Sequence, residues 1–187
     1  MDQSAIQDRI NRAMGAAARV FGAEHELHRP DGPGNPVTPG TRVMRLHAAF
    51  DGGDPGYRRP AGWERAVRGT FDALYVRAGQ YLVGAEDVLF VAATPALKRP
   101  ACVRCNARVD GWRTPGPGSP GLNGYGGAGP DEPVLRRWPA LVTPAGVLLP
   151  VTAPALRPGD RVTAPGVRMV VASVEQSEWG WRIAAKG

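Results

Sequence analysis

The residues able to do chemistry are few and scattered. Cys102 and Cys105 form a CxxC pair. Such a pair can be half of a zinc site or a dithiol redox couple. Zinc needs four ligands, and the complement on offer is the HxxH of His25 and His28, far upstream. Whether these four residues bind a metal is left open by their spacing. A redox couple needs its CxxC at a helix N-terminus after a strand. Here the pair lies inside a strand-like run, where a spacing of three turns the two side chains to opposite faces. Two reduced thiols without a chemical role is the reading these residues favour.

The remaining candidates are weaker. His25, His28 and His47 lie in or beside loop-like segments, and none has a Ser or Cys nearby that would suggest a nucleophilic triad. Asp51, Asp54, Glu86 and Asp87 sit in turn-like segments, and no spacing among them singles out an acid–base pair. No GxSxG, P-loop, HExxH or DxDxDG motif is present. The glycines of residues 124–129 neither follow a strand pattern nor open a helical one, which argues against a dinucleotide site. The expectation is a protein that is not an enzyme, with no catalytic, cofactor-binding or metal residue and no cofactor.

Interaction chemistry is better represented. Trp179 and Trp181 are separated by one glycine and would share one face of a strand, either closing a core or forming an aromatic interface patch. The formal net charge is +6, and 21 of the 23 basic residues are Arg. A nucleic-acid binder concentrates such charge on one face or in one run. Here Arg is spread along the chain, and its densest clusters are pairs such as Arg58-Arg59 and Arg136-Arg137. Arg also makes planar, bidentate contacts with carboxylates between proteins. Arg136 and Arg137 are therefore interface candidates, and a nucleic-acid-binding module stays as an alternative. No apolar run approaches the ~20 residues of a membrane span, and the polar N-terminus has no apolar leader segment, so the expected location is a bacterial-type cytoplasm without membrane contact.

The elements that must position these residues can be read from periodicity. Over residues 4–21 Ile6, Ile10, Ala13, Met14, Ala17, Val20 and Phe21 recur at helical steps, Ser4 and Gln7 have capping-box spacing, and Gly22 is placed to end the helix. Ile6, Ile10, Met14 and Phe21 would be its interface, whether it packs on its own domain or docks on a partner. The chain then divides into the N-terminal helix segment 1–28, a Gly/Pro-rich arm 29–62 with one strand over 41–50, a first β unit 63–112, a Gly/Pro-rich linker 113–133, and a second β unit 134–187. In the first unit the strand candidates are 70–76, 81–83, 88–93 and 101–109, and 63–68 reads as a short helical turn. The second carries six short strand candidates, the pattern of a small barrel or sandwich. The fold class is mainly β with an N-terminal α-helix, built as one or two small barrel or sandwich units with long loops.

A gapless self-match at an offset of 80 residues joins the two units: RAGQYLV at 77–83 aligns with RPGDRVT at 157–163, and VAA at 91–93 with VAS at 171–173. Each copy reads as a glycine turn, a strand, a second turn and an apolar strand.

Two stretches also resemble known proteins: residues 75–109, and residues 156–183 (LRPGDRVTAPGVRMVVASVEQSEWGWRI) preceded by RWPA at 137–140. Their turn-and-strand phrasing is similar to the small β-barrels of head-completion and stopper proteins, and of tail-tube and baseplate adaptors, in tailed phages. The long Gly/Pro loops and the N-terminal helix depart from that pattern. The resemblance implies a virion structural protein, assembled in the host bacterial cytoplasm as an oligomeric ring at the head–tail connector or tail. Portal, connector or tail proteins would be its neighbours, and a few Arg would face DNA in the channel. A tail-associated glycan-acting enzyme is the further alternative.

Overall fold

A computed structural model describes residues 3–52, 59–114 and 131–186. The linker expected over 113–133 and the glycine run at 124–129 fall largely or wholly outside these residues, as do Asp54, Arg58 and the side chain of Ser4. The fold is mainly β, as expected: one helix and two six-stranded closed barrels.

Helix α1 (Gln3–Phe21) leads into strand β1 (Ala23–His28). The first barrel is completed by β2 (Arg42–Asp51), β3 (Ala66–Phe71), β4 (Tyr81–Val83), β5 (Val88–Ala93) and β6 (Ala101–Arg104). The second comprises β7 (Ala107–Arg113), β8 (Glu132–Thr143), β9 (Gly146–Leu149), β10 (Arg161–Ala164), β11 (Val167–Ser177) and β12 (Gly180–Lys186). Around the first barrel the strands run β1-β2-β3-β6-β5-β4, and around the second β7-β8-β9-β12-β11-β10. Numbered within each barrel, the two orders are identical. Closure pairs every edge strand, so neither barrel offers a free ladder for accretion.

The self-match is a structural repeat at atomic detail. Gly79 and Gly159 both hold positive φ, +89° and +91°, as the third residue of a type II turn requires. The Gly79 amide donates to the Val91 carbonyl at 2.8 Å, and the Gly159 amide to that of Val171 at 2.9 Å. The Arg77 amide donates to Gln80 Oε1 at 2.7 Å, and the Arg157 amide to Asp160 Oδ2 at 2.8 Å. Each apolar strand then bulges at the same place, between Val91 and Ala93 and between Val171 and Ser173.

Domain limits differ from the sequence reading. β1 lies in the segment expected as helix and β2 in the Gly/Pro arm, and both belong to the first barrel. The strand expected over 101–109 is two strands, β6 and β7, and the break between them is where the chain passes from one barrel to the other. The Gly/Pro linker instead interrupts the second barrel, between β7 and β8. β3 starts four residues earlier than expected, at Ala66, because the 60–66 segment turns twice and then enters the sheet (Trp63 amide to Pro60 carbonyl, 3.0 Å; Ala66 amide to Trp63 carbonyl, 3.0 Å). His25, His28 and His47 lie on strands, not beside loops.

Alternation sorts strands β3 to β6 of the first barrel between two cores. Leu82, Leu89, Val91 and Cys102 point inward with Leu27, Leu46, Ala48 and Phe71. Tyr81, Phe90, Ala92 and Val103 point outward, yet all are fully buried, because they share a core with Trp138, Leu141, Leu148 and Ile183 of the second barrel. β5 is therefore buried on both faces, which explains its unbroken apolar sequence VLFVAA.

Substitution of the two turn glycines separates backbone strain from packing. Gly159→Ala meets open space and should cost the positive-φ penalty of about 1–2 kcal/mol. Gly79→Ala would also place its Cβ 2.2 Å from the Thr152 methyl of the second barrel, and should cost more. Denaturant unfolding of both variants checks the order.

Candidate functional site

No single cleft gathers the candidate residues. They are distributed over the helix, the junction of the barrels and the face of the second barrel.

Helix α1 packs across β2 and β3 of its own barrel. Ile6, Ile10 and Met14 are half-buried on that side, and Ala18 is fully buried. Gln7 Oε1 accepts from the Leu97 amide at 2.8 Å, and Arg19 Nε reaches Asp72 Oδ2 at 3.4 Å. Gly22 ends the helix, its amide on the Ala18 carbonyl at 2.8 Å. A Cβ there would lie 2.4 Å from the Ala18 carbonyl oxygen and 2.8 Å from that of Ala48, so only glycine lets the chain turn into β1. The apolar stripe outruns its support: Val20 is 72% and Phe21 81% exposed.

Trp179 is not on a strand. It sits in the turn between β11 and β12, so the one-face rule for alternating strand residues does not apply to it. Its ring lies buried at the barrel junction, 5.9 Å from that of Trp63. Trp181 is on β12, opposite Leu149 and Gln176, and is half-buried. Arg136 and Arg137 are exposed on β8. Their amides brace other segments: Arg136 donates to the Pro33 carbonyl at 3.1 Å, and Arg137 to Asp110 Oδ1 at 2.9 Å.

The Pro33 carbonyl also accepts from Trp138 Nε1 at 2.9 Å, and Asn35 Oδ1 accepts from Arg108 Nη1 at 3.3 Å. The stretch between β1 and β2 is thus a strap from the first barrel over the second of the same chain. The connection before β3 makes a second such contact, with Arg182 Nη1 donating to the Ala61 carbonyl at 3.4 Å.

The thiols point apart. Cys102 fills the first barrel's interior, and Cys105 packs against the core shared by both barrels. Burial pushes both thiols well above the ordinary range. His25 Nε2 lies 3.3 Å from Asp87 Oδ1, and its Nδ1 lies 3.0 Å from the Ala23 carbonyl. His28 Nδ1 meets Thr41 Oγ1 at 3.1 Å, and its buried Nε2 lies 3.6 Å from Glu26 Oε2. Among the described residues no three His, Cys, Asp or Glu converge as a metal set would. No described helix is long and apolar enough to cross a membrane.

Two surfaces escape the sequence reading. One is a groove of about 830 Å³ on the first barrel, beside the helix end, lined by Ala49, Asp51, Thr70, Glu86, Asp87 and Phe21 among others. Asp51 pairs with Arg99, and Asp87 with Arg104 at 2.9 Å. The other is a concave face of about 560 Å³ on the second barrel, where Trp112, Arg161, Val170 and Lys186 stand in one row across four strands. Arg161 pairs with Asp131, and Val170 is 48% exposed. The VRMVV alternation of β11 is the sequence signal for this face: Arg168 and Val170 point out, Met169 and Val171 in.

Comparison with family models, curated proteins and solved structures finds no significant match to this chain.

Burial is the main influence on His28 and holds its imidazole below its ordinary value of 6.5, against the attraction of Glu26. A depressed folded value means that protonation favours the unfolded chain. The associated stability is complete above 6.5 and drains away as the pH falls towards the lower folded value. His28→Gln should flatten the fall in unfolding free energy between about pH 7.5 and 5. The cysteines give a second check: in the folded protein at mildly alkaline pH neither should react with a thiol reagent, and both should after denaturation.

Proposed function

We propose that this protein is a structural component of a tailed-phage virion, a building block of an oligomeric ring at the head–tail connector or in the tail. The observation that carries the reading is the contrast between a tightly fused body and its uncovered apolar residues. The two barrels share one core and are strapped together by the segments before β2 and β3. Yet Val20 and Phe21 stand exposed at the helix end, and Leu74 and Tyr75 are 66% and 73% exposed on the loop after β3. A rigid block with large apolar side chains left in water is built to be covered by another protein.

The resemblance of residues 75–109 and 156–183 to stopper and adaptor barrels supplies the phage context. In this reading the barrels are the ring body. The helix end with Phe21 and the loop with Tyr75 meet portal, connector or tail neighbours, and exposed Arg such as Arg136 and Arg137 make ion pairs between subunits. No step of it needs a cofactor or catalysis.

The mass of the purified chain, measured alone and after mixing with the portal and tail proteins encoded beside it, tests the proposal. A defined oligomer, or entry into one with those proteins, is the expected result. Phe21→Ser should weaken that entry and leave thermal unfolding of the isolated chain nearly unchanged, since the side chain is already in water. A chain that stays monomeric in every mixture overturns the reading.

A further inference from the structure

The repeat makes the two barrels comparable face by face, and one pair of equivalent faces is used differently. In the first barrel Tyr81, Phe90 and Val103 form a row across β4, β5 and β6. This outward row packs on the second barrel, with the Tyr81 ring 6.1 Å from that of Trp138 and its hydroxyl donating to the Pro139 carbonyl at 2.8 Å. At the 80-residue offset Tyr81 corresponds to Arg161 and Phe90 to Val170, and Lys186 stands opposite Val170 as Val103 stands opposite Phe90. The face by which the first barrel holds the second is therefore present again on the second barrel, turned outward, with cations in place of aromatics.

The receiving surface is repeated too. On the second barrel it includes the cross-strand pair Leu141 and Leu148, both in the shared core. At the same offset Leu148 corresponds to Arg68, whose partner across the ladder is Asp51. The equivalent region of the first barrel is thus the β2–β3 face. Helix α1 covers part of it, and Arg68 itself is buried, its guanidinium donating to the Arg99 carbonyl at 2.6 Å. The part left open beside it is the groove lined by Ala49, Asp51 and Thr70.

We infer that the second barrel's face of Arg161, Arg168, Val170 and Lys186 docks on the β2–β3 groove of another copy of this chain, head to tail, repeating between chains the contact already made within one. The charges suit it. The docking face carries three cations and, among the described residues, Asp131 as its carboxylate; Arg168 and Lys186 make no ion pair there. The groove is lined by Asp51, Glu86 and Asp87 together with Arg99 and Arg104. The two arginines pair with Asp51 and Asp87, and Glu86, without a cation partner among the described residues, leaves the groove with a net negative charge to meet the cations. The apolar part suits it as well, since exposed Val170 would meet small Ala49 and the rim formed by Phe21. Such a contact joins two different surfaces, so it propagates, closing into a ring or continuing as a fibre. It is polar where the internal contact is aromatic, which lets the chain fold as a soluble block before it assembles.

This inference rests on the ring reading and names the contact that builds it. The test compares Arg168→Glu with Lys186→Glu, Glu86→Lys alone, and all three substitutions together, in the full chain with the portal and tail proteins present if these are needed for assembly. Loss of the oligomer in each of the first two variants, and its recovery in the combined one, is the expected result. Circular dichroism and the unfolding midpoint should stay near wild type, because all three side chains are exposed. Oligomers that form equally well in every variant overturn the contact and leave the ring reading standing. A wild-type chain that never assembles overturns both. A chain that remains monomeric, and whose Arg168→Glu/Lys186→Glu variant loses salt-dependent binding of a duplex DNA oligonucleotide, marks the face as a phosphate surface and overturns the docking.

Discussion

Everything in this molecule depends on the aromatic junction between its barrels. Trp63, Tyr81, Phe90, Trp138 and Trp179 meet there, with ring centroids 5.9 to 6.3 Å apart in tilted or edge-to-face contact. Burial of each large apolar side chain contributes about 1.5–3 kcal/mol. The single hydroxyl bond from Tyr81 to Pro139 adds about 1 kcal/mol. Apolar burial therefore holds the barrels together, and the hydrogen bond fixes where one sits on the other. A six-stranded barrel of this size has little interior of its own. By placing a second core on the outer faces of β4, β5 and β6, the chain buries the same strands twice.

The polar groups serve this junction. The Pro33 carbonyl takes two donors from the second barrel, and Thr152 Oγ1 donates to the Gly79 carbonyl at 2.7 Å. Arg113 makes a two-pronged bond to the buried Asp160, at 3.0 and 2.7 Å, which in turn holds the repeat turn of the second barrel. The first barrel uses neutral Gln80 at the same place. The Gly/Pro composition of the straps follows from this work. Segments that cross from one barrel to another without joining a sheet satisfy their backbone groups singly, and Pro lowers the entropy they lose in doing so.

Several features are legible in the amino-acid order alone. The helix periodicity, the ends of β4 and β5, and the 80-residue repeat depend on local spacing, and local spacing is what a sequence displays. Cys102 and Cys105 do face apart, but because Cys105 lies beyond the end of β6 where the chain changes barrels, and not by alternation along one strand. β1 is not legible, because AEHELH carries two outward carboxylates and two histidines in six residues, so its strand character rests on pairing with β2 and β4. The boundary between barrels is hidden because 101–109 is a continuous strand-like run. The chain changes partners there at Cys105 and Asn106, with no Gly or Pro to mark it.

The mainly β character of the chain, the helix that precedes the sheets and the twofold occurrence of one turn-and-strand unit are all written in the amino-acid order. Each of these is set by side-chain size and backbone preference within a few residues. Which copy of the repeated face is covered follows from long-range packing alone. Tyr81 and Arg161 occupy equivalent positions on equivalent strands, and one is buried while the other faces water. The difference arises from which barrel finds a neighbour within its own chain. That depends on contacts between residues 58 positions apart, such as Tyr81 with Pro139, and packing at that separation is decided by the summed burial of both barrels.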